Sequence, residues 1–358
     1  MTPSTPMAQL HALGQRLWLD NITRDLLDGG GLAAYIRDFA VTGLTSNPTI
    51  FEKAITGSGA YDAAIRAAGR DLTPEALFET LAVDDLQRAA DLFGPVHAAS
   101  GGVDGWVSLE VSPLLAYDAA STVTEALRLH ARAARPNLFI KIPGTAEGLP
   151  AIEEAIFAGV PVNVTLLFSV DQYLAAADAW TRGIERRRAA GLSTDIASVA
   201  SLFVSRWDAA VAGKVPAALN NRLGIAVAQS ALAAYRGLQH SSRWQGLDTQ
   251  QRLLFASTGT KDPTASPTLY VHTLAAAQTV NTLPEATLKA LADAPPVQGA
   301  ASDDGAEAAD VLGAIAQAGV DTAHLAADLQ RQGAAAFTAS WHALMAVIAS
   351  RQAALASG

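Results

Sequence analysis

Short apolar runs alternate with longer stretches of helical period along most of the chain. Candidate strands are Leu17–Asp20, Gly43–Asn47, Trp106–Val111, Leu138–Ile142, Pro161–Leu166, Ser198–Phe203, Leu253–Ser257 and Gln278–Asn281. Between them lie helical patterns such as Thr73–Phe93, Thr122–Ala134, Val170–Ala190 and Asn220–Gln239. Parallel strands need long crossovers, so strand–helix alternation implies a parallel α/β sheet. Eight such units in about 280 residues predict a single closed (β/α)8 TIM barrel over roughly residues 15–292. A doubly wound open sheet is the competing arrangement.

Local signals mark several boundaries. Thr73-Pro74-Glu75 places a capping hydroxyl before a proline at the first helical position. Leu283-Pro284-Glu285 resembles a helix start after the last strand, and Gly191 is a natural stop for the helix ending Arg186-Arg187-Arg188. Those three arginines are expected in a solvated last turn, where they complement the helix dipole. Gly29-Gly30-Gly31 lacks the dinucleotide spacing and suits a helix terminus. Residues 292–303 are expected as a loop. Residues 305–355 are Ala-rich and expected as helices packed on the barrel, so that 1–358 forms one domain.

Strand parity then locates chemistry. Alternate side chains of a barrel strand face inward, and active sites of this fold sit at the C-terminal strand ends. Five strands carry polar residues on one parity and apolar residues on the other. The polar positions include Asp20, Ser108 and Glu110, Lys141, Asn163 and Thr165, and Ser201. Phe203, on the parity of Ser201, is expected as pocket wall. A lysine inside Leu138-Phe139-Ile140-Lys141-Ile142-Pro143 is costly to bury unless it is paired or used. Desolvation favours a neutral amine, and a neutral amine attacks a ketone to form an imine. The protonated imine is an electron sink that allows the C3–C4 bond of a ketose to break without a metal. Such chemistry needs proton carriers, and Asp20 and Glu110 are nearby carboxylates suited to the task. The competing account is a buried ion pair that serves architecture alone.

Composition narrows the options. Half of the 358 residues are hydrophobic and 16% are charged, so the chain can bury a large core. A net charge of -9 argues against a general nucleic-acid or anionic-membrane surface. Absence of cysteine excludes thiol catalysis, disulfides and Cys-based metal sites, and fits a reducing compartment. The seven histidines include no tight pair at ligand spacing, so no metal and no other cofactor are expected. No basic segment followed by an apolar one opens the chain, and no run of about 18 uninterrupted apolar residues is present. The expectation is a soluble cytoplasmic protein.

Several segments together resemble transaldolase. They are Leu17-Trp18-Leu19-Asp20, Gly43-Leu44-Thr45-Ser46-Asn47-Pro48-Thr49-Ile50-Phe51, Val107-Ser108-Leu109-Glu110-Val111 and the lysine strand. Val162-Asn163-Val164-Thr165-Leu166-Leu167-Phe168-Ser169 and Ser201-Leu202-Phe203-Val204-Ser205-Arg206 complete the set, which spans nearly all of residues 15–285. The resemblance implies transfer of a dihydroxyacetone unit between sugar phosphates in the pentose phosphate pathway. It implies Lys141 as the Schiff-base residue, Asp20 as carrier of the C4 hydroxyl proton, and Glu110 with Thr165 as handlers of water. It further implies that Asn47 and Asn163 bind donor hydroxyls, that Ser201 adds a polar contact, and that Arg206 binds phosphate through paired donors. The family's second phosphate arginine is not clearly filled after strand seven. In Phe255-Ala256-Ser257-Thr258-Gly259-Thr260-Lys261 the serine matches and Lys261 is the nearest cation, expected as a point charge. A fructose-6-phosphate aldolase is the nearest rival, but Glu110, Phe203 and the C-terminal helices favour transaldolase. A non-catalytic binding barrel is a further alternative. The expected assembly is a monomer or homodimer.

Overall fold

The computed structural model describes residues 5–69, 71–302 and 304–355. Met1–Ser4, on which the reading of the N-terminus partly rests, and Asp303, at the end of the expected loop, lie outside the described residues. Eight parallel strands pair in sequence order and close into a barrel. They are β1 (Arg16–Asp20), β2 (Val41–Thr45), β3 (Trp106–Glu110), β4 (Leu138–Pro143), β5 (Val162–Leu167), β6 (Ser198–Phe203), β7 (Arg252–Ala256) and β8 (Val280–Leu283). The barrel is the predicted one, and the open sheet is ruled out by the parallel pairing of β1 with β8.

Boundaries differ where a side chain captures the backbone. β2 ends at Thr45 rather than Asn47, because Asn47 leaves the strand to cap the helix Pro48–Gly57. Its Oδ1 accepts the Ile50 N–H at 3.1 Å. β8 starts two residues later than expected, since Gln278 adopts a positive φ of 58° in the preceding turn. The helix Ala119–Ala133 begins earlier than the pattern indicated because Asp118 accepts the Ser121 N–H at 3.0 Å. Thr73 and Pro74 open the helix Pro74–Ala99 as expected, and Gly191, at φ 69°, follows the end of the helix Val170–Ala189. Arg187 departs from expectation: its side chain is buried and donates to Phe157 O at 2.7 Å and to Ser193 O. It ties the loop after its helix to the neighbouring one, whereas Arg186 pairs with Glu153 and Glu154.

Apolar residues of one parity, including Leu17, Leu19, Val107, Leu109, Ile140, Ile142, Val162 and Val164, are buried and form the outer surface of the sheet under the helices. The other parity fills the interior in layers. Trp106 stacks on Phe139 with ring centroids 4.1 Å apart, and Trp18 lies 6.1 Å from Phe139. These three rings form an apolar floor. Gly43 makes room for it, because a Cβ there would lie 2.5 Å from the Trp18 ring. Polar residues occupy the layers above.

The C-terminal segment forms the helices Ala306–Gln317 and Thr322–Leu355. The second runs across the C-terminal ends of the strands. Gln330 Nε2 donates to Gly144 O and to Leu166 O, each at 3.0 Å. Farther along, Ser340 hydrogen-bonds Thr49, Trp341 packs edge-on against Phe78, and Arg351 pairs with Asp62 at 2.8 Å. This helix is long and apolar enough to cross a bilayer by length and composition. Its apolar residues Leu329, Phe337, Leu344 and Ile348 are nevertheless buried against the rest of the chain. Packing on the barrel was expected; a position over its mouth was not.

Candidate active site

Strand register brings the polar residues together. Glu110 on β3 is level with Lys141 on β4, and Lys141 is level with Asn163 on β5. Parity turns all three inward, so neighbouring strands present a carboxylate, an amine and an amide at one height. Lys141 is only 5% exposed, which makes its partners decisive. Its Nζ lies 3.6 Å from Glu110 Oε1 and donates to the Ser46 carbonyl at 3.1 Å. Both Glu110 oxygens and Thr165 Oγ1 are buried without a hydrogen-bond partner. Unpaired buried polar atoms are costly in a finished core, and the Glu110 pair of them belongs to the carboxylate beside Lys141.

Burial raises the pKa of Glu110; attraction to Lys141 opposes this, and repulsion from Asp20 adds to it. Burial also raises Asp20, against the pull of Lys141, a hydrogen bond from Thr45 and the charge of Lys261. That hydrogen bond, Thr45 Oγ1 to Asp20 Oδ1, measures 2.7 Å, and Thr45 is itself 2.7 Å from Thr282 Oγ1. Asp20 is therefore oriented by a hydroxyl chain spanning β2 and β8. Two carboxyl groups with raised pKa values near one amine are suited to carrying protons.

Asn163 is fixed from both sides. Its Nδ2 donates to Ser108 Oγ at 3.0 Å, and its Oδ1 accepts from Ser201 Oγ at 2.7 Å. Just beyond it, β5 is irregular: Leu166 has φ 61°, and the register with β6 slips between Val164 and Leu167. A bulge at this point re-aims the strand end beside Thr165.

A cavity of about 130 Å³ opens over this layer. Asp20, Asn47, Lys141, Thr165, Ser201, Phe203, Arg206, Ser257 and Lys261 all line it, whereas Glu110 and Asn163 do not and stand beside Lys141 in the layer just described. Asn47 combines lining the cavity with its helix-capping role. Arg206 follows β6 in the helix Ser205–Val211 and is largely enclosed by rings. Its Cζ lies 5.0 Å from the centroid of Phe203, 5.9 Å from Phe337 and 6.0 Å from Phe168. Among the described residues it has no carboxylate partner, and burial lowers its pKa. A desolvated guanidinium without a counter-ion is suited to an anionic ligand. Ser257, held at φ 56°, shares a 2.9 Å hydrogen bond with Ser205, and Lys261 stands exposed at the rim.

Among the described residues no His, Asp and Glu cluster could hold a metal ion. Asn163, which matches a glycosylation sequon, is fully buried, so that match has no accessible acceptor. Sequence reasoning missed Phe337 and Gly333 on the terminal helix, together with Thr45 and Thr282. Phe337 lines the cavity and lies 5.8 Å from Lys141 Nζ, ring centroid to nitrogen. Its only local signal was a single aromatic four residues after a glycine in the small-residue run Gly333-Ala334-Ala335-Ala336-Phe337.

Comparison with known proteins bears directly on this arrangement. The family model described as Transaldolase/Fructose-6-phosphate aldolase matches residues 17–348. A transaldolase of Frankia alni is 43% identical over 363 residues, covering 97% of each chain. One from Thermobifida fusca is 44% identical, covering 98% of this chain and 99% of the relative. One from Neisseria gonorrhoeae is 42% identical, covering 96% and 99%. The matched span runs from the first strand through most of the terminal helix, and on this ground the chain belongs to the transaldolase/fructose-6-phosphate aldolase family.

Proposed function

We propose that this chain is a transaldolase, moving a dihydroxyacetone unit from a ketose phosphate such as fructose 6-phosphate or sedoheptulose 7-phosphate to an aldose phosphate. The observation that carries the reading is the presence of two cations, the buried Lys141 and the half-buried Arg206, on one cavity. Lys141 stands among proton carriers at one end, and Arg206 stands without a carboxylate partner at the other. A ketose phosphate has a carbonyl for the first and a phosphate for the second.

The steps follow from the side chains. Lys141 Nζ attacks the C2 keto carbon, and the resulting carbinolamine loses water to give a protonated imine. Glu110 and Thr165, whose side-chain oxygens accept no hydrogen bond from the described residues, hold that water and pass it protons. Asp20 takes the proton of the C4 hydroxyl. The C3–C4 bond breaks, its electron pair passes into the imine, and an aldose phosphate leaves as an aldehyde. The retained enamine attacks the aldehyde carbon of the acceptor through C3, and Asp20 returns its proton to the new hydroxyl. Water then hydrolyses the imine. Asn47, Asn163 and Ser201 hold the hydroxyls of the three-carbon unit, and Phe203 walls the pocket. Ser257 and Lys261 assist Arg206 at the phosphate.

On this reading residues 1–358 act as one catalytic unit without a cofactor. The net charge of -9 argues against a nucleic-acid or anionic-membrane surface, and the reading is completed by a cytoplasmic location and a monomeric or homodimeric state. Borohydride reduction in the presence of fructose 6-phosphate tests the chemistry. A stable adduct on the Lys141 peptide is expected, and its absence overturns the Schiff-base assignment. Dihydroxyacetone release without an acceptor separates the two activities of the family: slow release supports transfer, and fast release supports an aldolase.

A further inference from the structure

The terminal helix contributes one aromatic residue to the site, and its position is specific. The Phe337 ring centroid is 5.8 Å from Lys141 Nζ and 5.9 Å from Arg206 Cζ. A single buried ring therefore contacts both cations of the cavity. Its setting is fixed by close packing. Four residues earlier, a Cβ on Gly333 would lie 2.9 Å from Leu166 Cδ2 and 3.1 Å from Arg206 Nη1, so the helix backbone is pressed against the arginine. Gln330 holds the same helix to the β4 and β5 ends through two carbonyls.

Two cations close to one ring, Lys141 buried and Arg206 half-buried, pose a problem for an enzyme of phosphorylated sugars. A phosphate has several oxygens and is attracted to both an ammonium and a guanidinium. Bridging the two would occupy Lys141 with the wrong end of the substrate and block imine formation. A hydrocarbon ring beside both cations offers a phosphate no hydrogen-bond donor. It still contacts each of them through its π face.

We propose that Phe337 is a specificity-determining residue that insulates Lys141 from phosphate, confining the anion to Arg206 so that only the carbonyl end of a substrate reaches the amine. The proposal rests on the transaldolase reading of the same site. It gives a role to the one large side chain in the small-residue run Gly333-Ala334-Ala335-Ala336-Phe337-Thr338-Ala339-Ser340.

The test uses dihydroxyacetone, which carries no phosphate and needs only the Lys141 end. Its borohydride trapping on Lys141 is measured in the full-length protein with and without inorganic phosphate. In the wild type, phosphate held at Arg206 leaves trapping unchanged. In Phe337→Ala, phosphate bridges to Lys141, and trapping is expected to fall roughly tenfold at the same phosphate concentration. A merely structural role for the ring lowers trapping equally with and without phosphate, and that result overturns the proposal. Equal phosphate inhibition of wild type and variant overturns it as well. Phe337→Val keeps a smaller apolar side chain and supplies the same comparison if the alanine variant does not fold. Lack of any wild-type adduct would instead sink the Schiff-base reading, so the two failures are distinguishable.

Discussion

Replacement of Glu110 by glutamine separates its roles in charge and in shape. Glu110 Oε1 lies 3.6 Å from Lys141 Nζ, so the direct attraction is about 5 kcal/mol at an effective dielectric near 20. Burial works against it strongly enough that the carboxyl pKa is raised rather than lowered. The charged pair therefore adds little net stability, and Lys141 keeps its bond to the Ser46 carbonyl in the variant. Glu110→Gln nevertheless leaves the buried Lys141 without its carboxylate, and unfolding free energy is expected to fall by about 3–5 kcal/mol. Activity should fall as well. Loss of one positioned proton carrier costs roughly 10²–10⁴ in rate, or about 3–5 kcal/mol of barrier. The loss should fall on imine formation and hydrolysis. Rapid-quench borohydride trapping with fructose 6-phosphate should show slow adduct formation, whereas cleavage of each imine, once formed, proceeds normally. Asp20→Asn should behave in the opposite way, with prompt trapping and little release of the aldose. Trapping at the wild-type rate in Glu110→Gln would refute the assignment of water handling to Glu110.

Other measurements probe the same site and its supports. Glu110 and Asp20 both have raised pKa values, so between the ordinary carboxylate range and the raised values the native chain binds more protons than the unfolded one. Stability contributed by these groups is thus present at low pH and lost as pH rises through that window; denaturant titrations across it should show a shallower loss for Glu110→Gln than for wild type. Asn47→Asp keeps the oxygen that caps the helix Pro48–Gly57 but removes the amide donors. Its melting temperature should stay close to wild type while kcat/KM for the donor falls about tenfold or more, whereas Asn47→Ala should also lose about 1 kcal/mol of stability. Gly43→Ala places a Cβ 2.5 Å from the Trp18 ring, and thermal denaturation should report about 1–3 kcal/mol of destabilisation.

The barrel was readable in the sequence because each strand had to satisfy two environments at once. Leu109 and Ile140 had to meet the helices, while Glu110 and Lys141 had to face the interior, and that alternation is local. The same alternation singled out the polar residues that converge at one end of the barrel, since no apolar account explained Lys141. What the sequence hid was set by contacts between distant segments or by single backbone captures. Asn47 looked like a strand end until its capping bond took it into a helix. Arg187 looked solvated in its own helix, but the carbonyl that it reaches belongs to Phe157 on another. Thr45 and Thr282 become supports of Asp20 only once the barrel closes β8 against β1. The terminal helix is the strongest case. Its Ala-rich period announces a packed helix but says nothing of what lies beneath it. That Gly333 faces Arg206 and Phe337 faces Lys141 depends on the Gln330 bonds to Gly144 and Leu166, residues more than 160 positions away in sequence. The barrel thus encodes the buried lysine locally, within one strand, and encodes the cover over it only through the complete fold. Substitutions in the terminal helix should accordingly alter selectivity at Lys141 although no strand residue has changed.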